Sequence, residues 1–108
     1  MTPSAQDIIA ATAKVFEVTT GALIGRGRSK HLVRARWVAA HLLRHIPIPA
    51  SGIQRSAVLI GKTLGGRDHA TVLHGLTQMR DELTGNAEYA RGLACVRAEL
   101  GLPEKEPA

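Results

Sequence analysis

Only three aromatic residues occur in this 108-residue chain, and their scarcity restricts the folds it can adopt. Phe16, Trp37 and Tyr89 are too few to form a stacking platform for single-stranded bases. The core must therefore consist mainly of Leu, Ile, Val and Ala, a composition that suits packed helices. The length supports one modest domain. We predict a single all-α domain over residues 1–101, a compact helical bundle, with residues 102–108 as a disordered tail.

Apolar residues recur at helical spacing along most of the chain. Ser4 is expected to cap a first helix, and residues 20–24 form a short helical turn ended by Gly25. A longer helix is predicted over residues 32–46, with its apolar side buried and Arg34, Arg36, His41 and Arg44 on the other side. A last helix is predicted over residues 86–100. Cys95 lies near its apolar stripe and is expected to be a small buried hydrophobe. Trp37 belongs either to the core, which we favour, or to a sugar-phosphate edge.

The charges are segregated along the chain. No acidic residue lies between Glu17 and Asp68, although this segment holds nine of the 14 Lys and Arg residues. The nine are Arg26, Arg28, Lys30, Arg34, Arg36, Arg44, Arg55, Lys62 and Arg67. Helical surfaces normally mix both signs of charge, because unlike pairs stabilise and like pairs repel. The pattern predicts an external polyanion such as nucleic acid; the alternative is a solvated basic face without a partner.

A helix-turn-helix is predicted over residues 57–83. The apolar segment 57–64 is followed by a glycine turn, and the helix after it carries the apolar stripe Val72, Leu76, Met79 and Leu83. In this motif the second helix presents its first residues to the DNA major groove. Asp68, at the start of that helix, either caps it or accepts a hydrogen bond from a base amino group, and the two roles are compatible.

The sequence GGRDHATVLHG (65–75) resembles a characteristic segment of the C-terminal DNA-binding domain of DnaA, the bacterial chromosomal replication initiator. Residues 23–44, LIGRGRSKHLVRARWVAAHLLR, are similar to the basic loop and long helix of the same domain. The resemblance implies a DnaA-like helix-turn-helix that binds double-stranded DNA. It implies a minor-groove contact for Arg28, base contacts for Asp68 and His69, and phosphate contacts for Arg36, Arg44, Thr71 and His74. We add Ala70 as a contact to a thymine methyl group, and further phosphate contacts by Arg26, Lys30, Arg34 and Arg67.

Several positions depart from the family pattern. Ala70 replaces a threonine that is frequent there, Ala35 and Trp37 stand where Pro and Gln are common, and the stretch 45–55 is longer than usual. The chain also lacks the ATPase module that precedes this domain in DnaA. We therefore expect a stand-alone transcriptional regulator, of phage or mobile-element origin, with RNA polymerase or another regulatory protein as a partner. The alternatives are a replication-control protein that binds DnaA-box-like sites, and a protein-interaction module with a vestigial DNA-binding fold.

Other functional classes find little support. There are no paired carboxylates and no nucleophile with a positioned base, so no catalytic residue and no enzymatic activity are predicted. Gly61, Lys62 and Thr63 end like a phosphate-binding loop, but Ser56 replaces its first glycine, so we predict no nucleotide cofactor. His41 and His45 lack a third ligand for zinc, and no metal is expected. No leader or membrane-spanning segment is recognised, which predicts a cytoplasmic, nucleoid-associated protein.

Overall fold

The computed structural model describes residues 2–102, which contain six α-helices and no strand. The helices are α1 (Ala5–Val15), α2 (Thr20–Ile24), α3 (Lys30–His45), α4 (Ala57–Thr63), α5 (His69–Gly85) and α6 (Ala87–Glu99). The predicted all-α fold is confirmed. Of the predicted tail, Leu102 alone lies within the described residues, where its N–H donates to Arg97 O at 2.9 Å. No helix in residues 2–102 is long and apolar enough to cross a membrane.

Each helix begins at a residue whose side chain accepts a backbone N–H. These capping residues are Ser4, Thr19, Ser29, Ser56, Asp68 and Asn86. At Ser4 the cap is reciprocal, because its N–H also donates to the carboxylate of Asp7 at 3.0 Å. Ser29 accepts from Leu32 N at 3.2 Å, so α3 begins two residues earlier than the apolar pattern predicts. Such caps satisfy N–H groups that a helix cannot satisfy itself.

Helix α3 lies at the centre of the bundle and packs against all five other helices. Its residues Ala35, Val38, Ala39, Leu42 and Leu43 are fully buried. Around them lie apolar side chains from the surrounding helices. The fully buried ones are Ile8, Leu23, Ile60, Val72, Met79 and Val96. The core is therefore aliphatic, as the composition predicts.

The expectation that Arg36 and His41 lie on an exposed side of α3 is wrong. Arg36 is 3% exposed and His41 6% exposed. Because neighbours surround α3, little of its circumference is left for solvent. The expected burial of Cys95 is also wrong: its side chain is exposed. Cys95 follows the buried Leu93 by two residues, which places it on a different side of α6 from that residue.

The turn between α4 and α5 requires glycine at two positions. The N–H groups of Gly66 and Arg67 both donate to Gly61 O, at 3.0 and 2.9 Å. This brings the turn so close to α4 that a Cβ at Gly61 would overlap the carbonyl oxygen of Arg67. Gly65 has a φ of 87°, and a Cβ there would overlap Ile24 O. The turn is thus fitted closely against both α4 and the end of α2.

Candidate nucleic-acid interface

An open cleft of about 770 Å³ separates the loop before α3 from the beginning of α5. Its lining residues are Arg26, Arg28, Val33, Arg36, Gly66, Arg67, Asp68 and Thr71. Four of these eight residues are arginines, and Asp68 is the single acid among them. The cleft therefore lies between two segments that the sequence predicts to bind DNA. They are the basic loop and the first turn of the second helix of the motif.

The first turn of α5 presents the predicted base-contacting residues to solvent. Asp68 is the N-cap, and its Oδ1 accepts the N–H of Thr71 at 2.8 Å. Hydrogen bonds from the Thr71 backbone and side chain lower the pKa of Asp68, so the carboxylate is ionised at neutral pH. His69 and Ala70 follow it and are exposed. The Asp68 side chain is exposed although it caps the helix, so capping and a base contact remain compatible.

The predicted phosphate contacts on α5, Thr71 and His74, are also exposed. Thr71 lines the cleft, and His74 lies almost one helical turn further along. His74 lies on the side of α5 opposite the buried Val72, and Thr71 lies at the edge of the buried side. The structure therefore places the α5 residues of both predicted sets on the exposed surface of one helix.

Arg67, in the turn of the motif, forms hydrogen bonds with the backbone next to the basic loop. Its guanidinium donates to the carbonyl oxygens of Ile24 and Leu64 through Nη1, and to Gly25 O through Nη2 at 2.5 Å. Two of these carbonyls belong to the end of α2 and one to the end of α4. Arg26 and Arg28, three residues or fewer from Gly25, are exposed. Arg67 thus sets the position of the loop relative to α5.

Arg36 binds the backbone of α2, the helix that precedes the basic loop. Its Nε donates to Leu23 O at 2.7 Å and its Nη2 to Ala22 O at 3.2 Å. A helix of five residues can satisfy few of its carbonyls itself. Arg36 supplies a donor to Leu23 O and a second donor to Ala22 O, which also accepts the N–H of Gly25. Arg36 nevertheless lines the cleft. Its predicted phosphate contact stays a prediction, and the structure adds a role in holding α2.

The cleft arginines repel one another. Burial and the charge of Arg67 lower the pKa of Arg36, whereas burial and the charge of Arg26 lower that of Arg67. Arg36 and Arg67 keep their charge despite the lowered pKa, because a guanidinium is effectively always protonated in proteins. Within residues 2–102, none of the four forms an ion pair with an acidic side chain. A bound anion would relieve this repulsion.

The remaining predicted phosphate contacts lie outside this cleft. Arg34 points toward α6, where its Nη1 donates to Glu88 Oε2 at 2.6 Å and its guanidinium lies 4.9 Å from the ring centroid of Tyr89. Arg44 donates to Arg55 O at 2.7 Å and lines a second, smaller cleft beside α5. Lys30 is exposed at the first position of α3.

Arg55, predicted only as one of the nine basic residues of the acid-free segment, has a structural role. It is 3% exposed, and its Nη1 donates to Ile46 O at 2.7 Å and Leu43 O at 3.3 Å. Arg55 therefore satisfies carbonyl oxygens at the carboxyl end of α3. The available signal was the absence of a glycine directly after this helix, which leaves its last carbonyls in need of another donor.

The residues that resemble a phosphate-binding loop serve a different purpose. Gly61 is buried within α4, and its carbonyl accepts two N–H groups of the turn. Lys62 and Thr63 form the last turn of the same helix. The backbone around Gly61 is therefore helical, whereas a phosphate-binding loop lies between a strand and a helix.

Comparison with known proteins places these features in one family. Residues 5–79, which contain the cleft, α4 and the first part of α5, match the family described as bacterial dnaA protein helix-turn-helix. The chain belongs to this family. Chromosomal replication initiator proteins DnaA of Herpetosiphon aurantiacus and Thermomicrobium roseum are 36% and 35% identical to it, over 90% and 93% of this chain. That of Corynebacterium jeikeium is 36% identical over 75%. The chain spans about a fifth or less of the length of these DnaA relatives.

Proposed function

We propose that this chain binds double-stranded DNA in a sequence-selective manner. The first turn of α5 enters the major groove, where Asp68, His69 and Ala70 face base edges. Arg28 enters the adjacent minor groove. The observation that carries the proposal is the cleft between these two segments. It gathers four arginines that have no acidic ion-pair partner among residues 2–102, and it lies beside an exposed helix tip.

The arrangement fits a duplex better than a single strand. An α-helix fits the major groove of B-DNA, and a narrow minor groove attracts arginine. Among residues 2–102, no aromatic side chain on which a base could stack lines the cleft. Phosphates between the two grooves would lie against Arg26, Arg67 and Thr71. These contacts position the protein on the duplex, while the helix tip and the loop read its sequence.

Selection from random duplexes at physiological salt is the primary test. Repeated binding and amplification are expected to enrich one sequence. An acidic protein partner is the rival explanation for the arginines, and it predicts that no sequence is enriched. Affinity for random DNA at low salt would not separate these cases, because any basic surface binds duplex there.

The role of Arg28 is tested on the enriched site. Arg28→Ala is expected to weaken binding by about 1–3 kcal/mol, since it removes a minor-groove contact. Arg28→Lys keeps the charge but not the planar guanidinium, and serves as the matched control. An affinity for the enriched site that Arg28→Ala leaves unchanged would remove the loop from the proposed interface.

The physiological role separates into two candidates. The stand-alone transcriptional regulator predicted from the sequence, with RNA polymerase or another protein as partner, stays a prediction. Similarity to proteins named as replication initiators favours replication control as the second candidate. Footprinting across a genome distinguishes them: promoter sites support the regulator, and clusters of sites at a replication origin support replication control.

A further inference from the structure

The contact between Trp37 and Gly75 lies midway along the packing of α3 against α5. Trp37 is half-buried and packs against the core. Gly75 is buried, and a Cβ at this position would overlap three adjacent ring carbons of Trp37: Cδ2, Cε3 and Cζ3. The three overlaps are nearly equal, which means that the face of the indole, and not its edge, lies on the backbone of α5.

This contact also separates the two clefts beside α5. Val33, one helical turn before Trp37, lines the arginine cleft, and His41, one turn after it, lines the second cleft. On α5, Asp68 and Thr71 line the first cleft, whereas Leu76 and Thr77 line the second. Trp37 and Gly75 therefore meet between the two clefts, and a change in the thickness of this contact would tilt α5 relative to α3.

We propose that the Trp37 ring, seated on Gly75, is a positioning device that sets the angle of α5 and so determines which bases its tip can read. The inference rests on the proposed DNA binding. Asp68 precedes Gly75 by seven residues, or about 10 Å along a helix. A tilt of about 10° would displace the tip by about 2 Å, which exceeds the tolerance of a hydrogen bond.

The test adds one methyl group under the ring. Gly75→Ala forces the indole and α5 apart, because rings and helix backbone cannot compress. We expect the preference for the enriched duplex over a scrambled duplex to fall at least tenfold. Gly85→Ala is the matched control: it lies at the end of the same helix, and a Cβ there meets nothing within 4 Å. Its preference is expected to stay within twofold of wild type.

A compensating variant distinguishes positioning from general loss of stability. Trp37→Leu combined with Gly75→Ala replaces the broad ring by a smaller side chain and leaves room for the new methyl group. We expect this double variant to recover most of the sequence preference. A double variant that melts like wild type but does not recover the preference overturns the proposal. Should Gly75→Ala not fold, Trp37→Leu alone serves, with the same expected loss of preference.

A measurement without DNA keeps the inference separate from the proposed function. Residual dipolar couplings of backbone amides report the orientation of α5 relative to α1 and α3. Gly75→Ala is expected to shift the couplings throughout α5 and to leave those of α1 unchanged. Unchanged α5 couplings overturn the positioning role, even if binding is lost. A wild-type protein that enriches no duplex contradicts the proposed function, whereas the couplings still decide whether this contact sets the helix angle.

Discussion

At the scale of single residues, the Asp68 carboxylate caps α5, and we propose that it also reads a base. Its Oδ1 accepts the N–H of Thr71, while the side chain stands exposed at the tip of α5. Asn caps a helix as well as Asp does. Its side-chain amide can donate a hydrogen bond as well as accept one, so Asn is compatible with more kinds of base than Asp is. We expect Asp68→Asn to melt within about 2 °C of wild type near pH 7 and to relax the selected sequence. If the variant melts normally and selects the wild-type site, Asp68 caps the helix without reading a base.

The same residue gives a pH dependence whose sign follows from its hydrogen bonds. The N–H and hydroxyl of Thr71 lower the pKa of Asp68 in the folded protein. Ionised Asp68 therefore adds stability above its unfolded pKa of about 3.9, and this is lost as the pH falls through the lower folded value. We expect wild type to lose stability relative to Asp68→Asn as the pH falls below about 4. Melting both proteins between pH 7 and 3 checks this, and parallel curves would contradict it.

At the scale of helices and turns, the glycine turn offers a matched pair. Gly65 and Gly66 have almost the same positive φ, 87° and 86°, but a Cβ at Gly65 would overlap Ile24 O whereas one at Gly66 meets nothing within 4 Å. Gly66→Ala is expected to lower the free energy of unfolding by about 1–2 kcal/mol, because alanine is strained in the left-handed conformation. Gly65→Ala must also push the end of α2 away, so we expect a clearly larger loss of unfolding free energy. Urea titrations measure both, and equal losses would show that the close approach is relieved without cost.

The elements themselves were predictable from the sequence, whereas the use of several arginines was not. Helical spacing and the capping residue Ser4 predict α1 because these signals are local. Arg55 and Arg67 donate to backbone carbonyls at the ends of other helices. A guanidinium can donate to a backbone carbonyl or to a phosphate, so a count of charges cannot tell which of the two it meets. That distinction depends on how the helices are placed in three dimensions.

The outward-facing first turn of α5 was predictable for the opposite reason. The apolar stripe through Val72 and Met79 identifies the buried side of the helix, so the other side must face outward. Ala70 and His74 lie on that other side, and Asp68 and His69 lie at the helix tip, so the sequence pattern defines the position of all four. The contact between Trp37 and Gly75 could not be predicted from a sequence pattern. The two residues are 38 positions apart, and they meet because the flat ring fits where Gly75 has no Cβ.

At the scale of the whole molecule, the segregation of charge governs how binding depends on salt. The cleft arginines lie together on one side of α3, while Arg34 is paired with Glu88 on α6. Arg26 is exposed, lines the cleft and lowers the pKa of Arg67, so it belongs to the charge that a phosphate would neutralise. Each neutralised phosphate releases condensed counterions, and this release makes affinity fall as salt rises.

Removing Arg26 should therefore flatten this dependence. Arg26→Ala is expected to reduce the slope of log K against log salt by about one unit, on enriched and random duplexes alike, because phosphate contacts carry no sequence information. Arg91→Ala is the matched control, since it removes the same charge from an exposed position of α6. The net charge of both variants is equal, so their binding differs only through the position of the lost charge. Equal slopes for the two variants would mean that DNA is attracted by net charge alone, and that the cleft holds no phosphate.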